Sequence, residues 1–446
     1  MTSFTAKRLP IHAGPAAWNT ILGGQPTPKI LEHQITADFV VIGGGFAGLS
    51  AARRLRQLDA TAKIVVLDAG RLAEGAAGRN SGFMIDLPHE LTSQDYAGAG
   101  DDLELIRLNR LAIAFGQGAC DAYGIPSAYF DRAGKINGAV SAKAHANSLS
   151  YQRHLTVLGE ASELLDAKQM AEITGSTHYQ SGLFTSGTVM LQPAGYIRGL
   201  GAGLVQDGVH IYENSPVLGF RPEYLNWRVD TSQGTVRAPK VILATNGHLE
   251  SFGVEQGNLM QVFLFASMTP DLPSDVLRDL GGQPRWGVTP SDPMGTTVRR
   301  IDSGQGGNRI VTRTCAKLLP QMRPTAACVA RAAKVQQNKF DQRFPKLAGM
   351  KMEYTWAGHL CLSRNGVSVA RPIAEGVFSA CVQNGLGTTR GTLTGIAAAE
   401  MAYGHDSAIT RFFQSEEAPK PMPPRAIAKI GANAVMRWKE WRAADE

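Results

Sequence analysis

Ala37-Asp38-Phe39-Val40-Val41-Ile42-Gly43-Gly44-Gly45-Phe46-Ala47-Gly48-Leu49-Ser50-Ala51-Ala52 passes from an apolar strand through a glycine-rich turn into an alanine-rich helix. Gly43 permits the tight turn, Gly45 lets the backbone approach a pyrophosphate, and Gly48 lets helix and strand pack closely. Phe46 and Ala47 open the helix, whose free N–H groups and positive dipole end hold phosphates. A glycine pattern alone is a weak signal. Here a second apolar strand follows, Ile64-Val65-Val66-Leu67, and Asp68 ends it twenty residues after Gly48, with Ala69 beside it. A carboxylate at that point hydrogen-bonds a ribose hydroxyl. The ordinary alternative is a βαβ crossover without a ligand; spacing and acid together favour an adenine dinucleotide.

Glu74-Gly75-Ala76-Ala77-Gly78-Arg79-Asn80-Ser81-Gly82-Phe83 is a second small-residue loop directly after the ribose strand. A nicotinamide dehydrogenase continues here with further βα units. A flavin needs a second backbone surface, because its ring lies flat against peptide with N5 open to substrate. A mobile surface loop is the bland reading of such a stretch, and its place beside the cofactor strand argues against it.

These segments resemble the D-amino-acid-oxidase-like flavoproteins, which include glycine oxidase and sarcosine oxidase, and within them the γ-glutamylputrescine oxidoreductase group. That group carries Gly-Ala-Ser-Gly-Arg-Asn-Gly-Gly against the flavin, and residues 75–82 match it closely. Ala77 replaces its serine, removing a phosphate hydrogen bond, and Ser81 replaces a glycine. Phe83 stands where the group has a polar residue, next to Met84, which suggests a more apolar pocket. The likeness continues through Gln192-Pro193-Ala194-Gly195-Tyr196, where Pro193 suits a first helical turn. It runs on through Ser215-Pro216-Val217 and Val241-Ile242-Leu243-Ala244-Thr245-Asn246-Gly247, then Trp356-Ala357-Gly358 and Gly385-Leu386-Gly387-Thr388-Thr389. The resemblance implies non-covalent FAD, contacted by these loops and by Val217, Thr245, Gly247 and the 385–389 turn.

The implied fold is α/β, a Rossmann-like FAD-binding domain interleaved with a mixed-sheet substrate domain. Residues 1–36 read as an N-terminal arm, 37–90 as the first part of the FAD domain and 91–189 as a helical insertion with a substrate-domain segment. The FAD domain returns over 190–254 and 351–404, around a substrate domain at 255–350, and 405–446 form a C-terminal linker and helix. Helical periodicity covers 101–123 and 325–343; strands are expected near 260–269, 296–301 and 309–314.

Composition sets limits. An apolar content of 43% over 446 residues supports a large core, and the longest apolar runs are too short for a membrane span. The first 22 residues lack the continuous apolar core of a secretory signal. Five scattered cysteines with no Cys-x-x-Cys pair suggest reduced thiols in a cytoplasm and argue against a disulfide reductase. The formal charge of +7 is spread without a basic run, which argues for a solvated surface rather than nucleic acid. The tail Arg437-Trp438-Lys439-Glu440-Trp441-Arg442 reads as a terminal helix that docks on its own domain, with a membrane or a partner subunit as alternatives.

The chemistry implied by the resemblance is oxidation of a primary or secondary amine. Hydride passes from the carbon next to nitrogen to flavin N5, and the imine hydrolyses; O2 or a separate acceptor then takes the electrons. The flavin carries the hard step, so no catalytic triad or metal cluster is required, and none is visible. Phe83, Met84, Asp86 and His89 follow the flavin loop and are candidates to line the pocket. His359 and Cys361 flank the segment after Trp356, and each has buried structure as its ordinary reading. Arg299, Arg300 and Arg313 are candidates to clamp a substrate anion. Arg299 and Arg300 are adjacent on a strand and point to opposite faces, so one of them at most does so. Covalent attachment through Cys361, as in some sarcosine oxidases, is two residues out of register and gives way to a buried thiol. Two other functions compete: an FAD hydroxylase or NAD(P)H-using reductase, for which a second nicotinamide motif is missing, and a non-catalytic flavoprotein subunit of a larger complex.

Overall fold

The computed structural model describes residues 3–88 and 101–446. Strand Phe39–Ile42 is buried along its whole length and pairs in parallel with Ile64–Leu67 on one side and Lys240–Leu243 on the other. The sheet runs His210–Tyr212, Ile64–Leu67, Phe39–Ile42, Lys240–Leu243, Val377–Ser379, Pro372–Ala374, with only the last pair antiparallel. Strands covered on both faces read as unbroken apolar runs, and these do.

Helix Phe46–Leu58 lies against helix Thr389–Tyr403, brought close by small residues. A β-carbon on Gly395 would sit 2.1 Å from the Ala47 carbonyl. A helix from late in the chain thus packs on the helix of the opening motif. Helix Pro193–Gln206 carries Pro193 at its first turn, with the Gln192 side chain accepting from the Gly195 N–H.

A second, eight-stranded sheet runs Tyr354–Ser363, Leu259–Met268, Arg309–Leu318, Thr297–Ile301, Trp286–Pro290, Lys135–Ala139, Ser181–Thr185, Glu163–Asp166. It is antiparallel apart from the pair Trp286–Pro290 and Lys135–Ala139, hence mixed. Segment 351–404 contributes first to this sheet, through Tyr354–Ser363, and only then to the parallel one. Helices Asp102–Tyr123 and Ala326–Arg343 fall where the periodicity predicts, capped by Asp101 and Thr325.

Strand Arg309–Leu318 outruns its neighbour Thr297–Ile301, whose pairing ends at Arg313. The helix Arg425–Arg442 covers this open stretch of edge. Asn433 Oδ1 accepts the Leu318 N–H at 3.0 Å while its Nδ2 donates to the Leu318 carbonyl at 3.1 Å, and Glu440 accepts from the Ala316 N–H at 3.2 Å. The terminal helix docks on its own domain. Among the described residues no helix is long and apolar enough to cross a membrane.

Candidate active site

The Gly43 turn is built as its sequence requires. Gly43 has φ +110°, and a β-carbon there would meet the Ala244 carbonyl at 2.5 Å; one on Gly48 would lie 1.7 Å from the Gly43 carbonyl. Gly45 caps the helix with no side-chain partner, so the first helical amides are left to the cavity beyond. Asp68 is half-buried and accepts from the N–H groups of Gly44 at 2.7 Å and Gly70 at 2.9 Å. Burial raises its pKa, against those two hydrogen bonds.

These residues form one end of a cavity of about 400 Å³ between the two large sheets. Gly43, Gly45, Phe46, Ala47, Asp68 and Ala69 line it, as do Ala77, Arg79, Asn80 and Ser81 of the second loop. Val217, Thr245, Gly385 and Gly387 complete that wall. The sequence motifs, dispersed over some 350 residues, meet at one place.

The second loop is held from behind by three side chains of distant origin and by its own Arg79. Trp18 Nε1 donates to the Asn80 carbonyl at 2.9 Å and Trp356 Nε1 to the Arg79 carbonyl at 3.0 Å. Arg79 reaches away to the carbonyls of Gly14 at 3.0 Å and Ala357 at 3.3 Å. Arg299 Nη1 donates to the carbonyls of Leu191, Gly82 and Ser81, at 2.7, 3.1 and 3.1 Å. Inside the loop Asn80 closes a turn, donating to the Ala77 carbonyl at 2.6 Å and accepting from the Gly82 N–H at 2.7 Å.

The opposite wall belongs to the eight-stranded sheet. Phe263, Phe265, Arg313, His359 and Cys361 line it, with His248 from the short helix Asn246–Phe252 and His12 from the N-terminal arm. Arg313 is half-buried, its enclosed Nε is without a partner, and no described carboxylate pairs with it. Burial lowers its pKa to about 10, so it stays a cation at neutral pH. The histidines are neutral there: loss of hydration holds His12 and His248 down to about 4 and His359 to about 3, helped by the Arg79 charge at His12, by Arg8 at His248, and by His248 and His12 at His359. His359 stacks on Phe263 with ring centroids 4.9 Å apart, and its Nε2 lies 2.8 Å from Gln261 Oε1.

A family model described as "FAD dependent oxidoreductase" (DAO) matches residues 38–401, most of the chain. The chain belongs to the DAO family of FAD-dependent oxidoreductases. Among curated relatives it is 26% identical over 395 residues to the probable oxidoreductase OrdL of Haemophilus influenzae, with 86% of each chain covered. It is 24% identical over 427 residues to γ-glutamylputrescine oxidoreductase of Escherichia coli, covering 88% of this chain and 89% of the relative. Its fold is similar to glycine oxidase from Geobacillus kaustophilus, with TM-score 0.69 and 16% identity, over 86% of this chain and 99% of that one. It is likewise similar to the amino acid oxidase NikD, with TM-score 0.63 and 17% identity, over 87% and 98%.

The cavity of this DAO-family enzyme fits FAD. Only glycine fits at Gly43 and Gly48, helix amides stand free at the glycine turn, and the buried Arg313 Nε and Asn246 Oδ1 lack protein partners at its edge. Other motif residues serve from outside the lining. Gly78 packs on the Ala73 carbonyl, Gly82 on Arg299 and Gly247 on Gln261 and His359. Leu386 N–H donates to the Gln383 carbonyl, while the Thr388 and Thr389 hydroxyls donate to the carbonyls of Phe83 and Ile85, at 2.7 and 3.0 Å.

Several expected pocket residues stand elsewhere. Phe83 and Met84 form a short buried strand paired with Val189–Leu191, behind the second loop rather than in the cavity. Asp86 is buried against Thr188 and Arg110, its oxygens 3.3 Å from each. Arg299 lies outside the cavity lining: its fork is spent on loop carbonyls and its plane lies over Trp18, 5.1 Å from the ring centroid. Arg300 turns the other way, to the Gly281 carbonyl. His89 lies outside the described residues. His359, Cys361 and Arg313 are the three candidates that line the cavity.

Sequence reading gave residues 1–36 as an arm but missed its place at the cavity. Strand Phe4–Thr5 pairs with Val217–Glu223, and Leu9 to His12 then cross the cavity to Ala13, whose carbonyl accepts from the Ala357 N–H at 2.9 Å. It also missed His248, Gln261 and Phe263. Pro10 and Gly14, which bracket this run, were the one signal that the arm is fixed: Gly14 has φ +74° and presses on the Thr355 carbonyl.

Proposed function

We propose that this enzyme oxidises a small primary or secondary amine that also carries an anionic group, such as an amino acid, an ω-amino acid or a polyamine derivative. The observation that carries this reading is Arg313, a half-buried guanidinium lining the cavity, whose enclosed Nε has no partner and which no carboxylate among the described residues pairs. A buried cation left unpaired is costly, and a carboxylate, sulfonate or phosphonate in the cavity would satisfy it through paired N–H donors. Two of the similar proteins support the amine class by name, since γ-glutamylputrescine and glycine are both amines bearing a carboxylate.

FAD, when bound, supplies the two-electron acceptor for hydride from the carbon next to nitrogen. The amides around Gly45, Phe46 and Ala47 would hold its pyrophosphate, Asp68 its ribose, and the loop from Ala77 to Ser81 one face of its ring. Arg313 anchors the anionic end of the substrate. Phe263 and Phe265 exclude water from the reacting carbon, which strengthens that charge pair. Neutral histidines and one cation disfavour a second positive charge, so the amine is selected in its unprotonated form. The five cysteines are buried and unpaired, in keeping with a cytoplasmic protein.

Anaerobic bleaching of the FAD-loaded protein tests this. Glycine, sarcosine, taurine and γ-glutamylputrescine are compared with neutral glycinamide and with putrescine. At least one anionic amine should bleach the flavin, and Arg313→Met should raise its KM about 100-fold, the loss of one charged hydrogen-bonded contact. Bleaching by NADPH with no amine active would overturn the reading in favour of a reductase or hydroxylase. Air admitted afterwards separates an oxidase from a dehydrogenase using another acceptor.

A further inference from the structure

We propose that His359 holds the substrate's reacting nitrogen through a lone pair on Nδ1, and that Gln261 and Glu250 fix the imidazole tautomer that makes this lone pair available. This rests on reading the cavity as an amine-oxidising site.

The tautomer follows from hydrogen-bond polarity. Gln261 is buried, and its Nε2 lies 3.1 Å from the Gly247 carbonyl and 3.0 Å from Glu250 Oε2. A carbonyl oxygen only accepts, so the amide nitrogen faces both groups and the amide oxygen points the other way. That oxygen, Gln261 Oε1, is 2.8 Å from His359 Nε2. It also only accepts, so His359 carries its proton on Nε2 and leaves Nδ1 unprotonated. Glu250 is held in turn, its Oε1 accepting from the Gly257 N–H at 3.1 Å. Gly247 closes that side: a β-carbon there would lie 2.3 Å from Gln261 Oε1 and 2.6 Å from His359 Cε1. Phe263 covers one ring face, and His248 meets the ring at 78° with centroids 5.6 Å apart. The ring therefore cannot flip or turn without breaking the relay.

An unprotonated Nδ1 suits the chemistry, and the other tautomer opposes it. In the neutral amine the nitrogen lone pair must become the second bond of C=N as hydride leaves carbon with both electrons of the C–H bond. Bound FAD would be the acceptor of that hydride, and the nitrogen is left cationic with its N–H bonds intact. A group that accepts an N–H leaves the lone pair free, and its hydrogen bond strengthens as nitrogen becomes positive. It therefore favours the transition state over the ground state. A donor at the same place would occupy the lone pair and hold the electrons back. The titratable groups facing His359 are His248 and His12, with Glu250 behind Gln261 and Arg313 on the strand beyond Leu259–Met268. Burial and the two histidines hold the ring neutral, down to about 3, so the lone pair persists through the neutral range.

Two substitutions separate this role from a structural one. The amide of Gln reaches the Nε2 position and that of Asn the Nδ1 position. His359→Gln therefore keeps the bond to Gln261 and loses the acceptor, while His359→Asn keeps an oxygen beside the amine. In FAD-loaded protein, flavin reduction by the active amine should slow about 100-fold in His359→Gln, with His359→Asn recovering most of that loss. Gln261→Glu places a carboxylate against Nε2–H and raises the histidine's pKa, so its reduction rate should fall on the acid side where wild type shows no histidine limb. Equal rates in the Gln and Asn variants would overturn the proposal. So would an altered flavin spectrum and potential with unchanged amine kinetics, which would give Nδ1 to the cofactor instead. If no amine reduces the wild type, the functional reading itself fails; if amines do and the variants behave alike, only this proposal does.

Discussion

Gly82 and Arg299 stand so close that a β-carbon on the glycine would lie 2.1 Å from the guanidinium Nη1. The same carbon would meet the Leu191 carbonyl at 2.6 Å, and Gly82 has φ +76°. Arg299 cannot withdraw, because three carbonyls hold that same nitrogen. Gly82→Ala should therefore cost about 3 kcal/mol through overpacking and backbone strain combined. Thermal melting should show the loss, and the purified protein should retain little flavin, since the displaced loop lines the cavity. A variant melting like wild type and fully yellow would show that the loop is not held as described.

Two neighbouring glycines give a contrast. Gly48→Ala drives a methyl group into the Gly43 carbonyl, 1.7 Å from where its β-carbon would stand, and should abolish FAD retention. Gly75 has nothing within 4 Å of its β-carbon position and an ordinary φ of −76°, so Gly75→Ala should leave FAD binding within about threefold. Flavin content per chain after desalting reads both. The two changes add the same single carbon.

Cys361 lines the cavity, yet burial drives its thiol pKa well above the usual value, with Cys381 and Glu250 adding to the effect. A thiol that stays protonated is a poor nucleophile. Acid precipitation of the holoprotein should leave the yellow colour in the supernatant, and Cys361→Ser should carry as much FAD as wild type. Colour in the pellet would mean a covalent bond at this or another residue.

Acid should destabilise the fold through two half-buried histidines. Unfolded, each takes a proton near 6.5; folded, His248 does so only near 4 and His359 near 3. Between those values the unfolded chain binds more protons, so stability is complete above about 6.5, declines as pH falls and levels off below about 3. Denaturant midpoints measured from pH 7.5 down to 4 should trace this decline. His248→Gln should flatten it, and an unchanged slope in that variant would discharge His248 from the effect.

The parts of the site made of backbone were legible because glycine spacing reports backbone geometry directly. Gly43, Gly45, Gly48 and the 75–82 loop name their own conformations, and the structure sets them around one cavity. Side chains were less legible, because a residue type does not say which way it faces. Arg299 and Arg313 lie on paired strands with similar chemistry, yet one fork is spent under the flavin loop and the other is free. Phe83 and Met84 follow that loop in sequence but leave its surface at once by pairing with Val189–Leu191. The arm from Leu9 to His12 lacked any periodic pattern, since extended chain crossing a cavity repeats neither at 2 nor at 3.6 residues.

The cavity's last wall comes from the last third of the chain. Tyr354–Ser363 and the turn at 385–387 complete it, and the arm from the first residues is tied down by Phe4–Thr5 against Val217–Glu223 and by Ala13 against Ala357. During synthesis the glycine cradle therefore emerges roughly 310 to 340 residues before the groups that close over it. A nascent chain holds half a binding site, with apolar strands unpaired and nothing to bind. Ligand stabilisation reaches only a chain that folds as a whole, so supply of flavin during expression should govern how much protein survives rather than how fast it works.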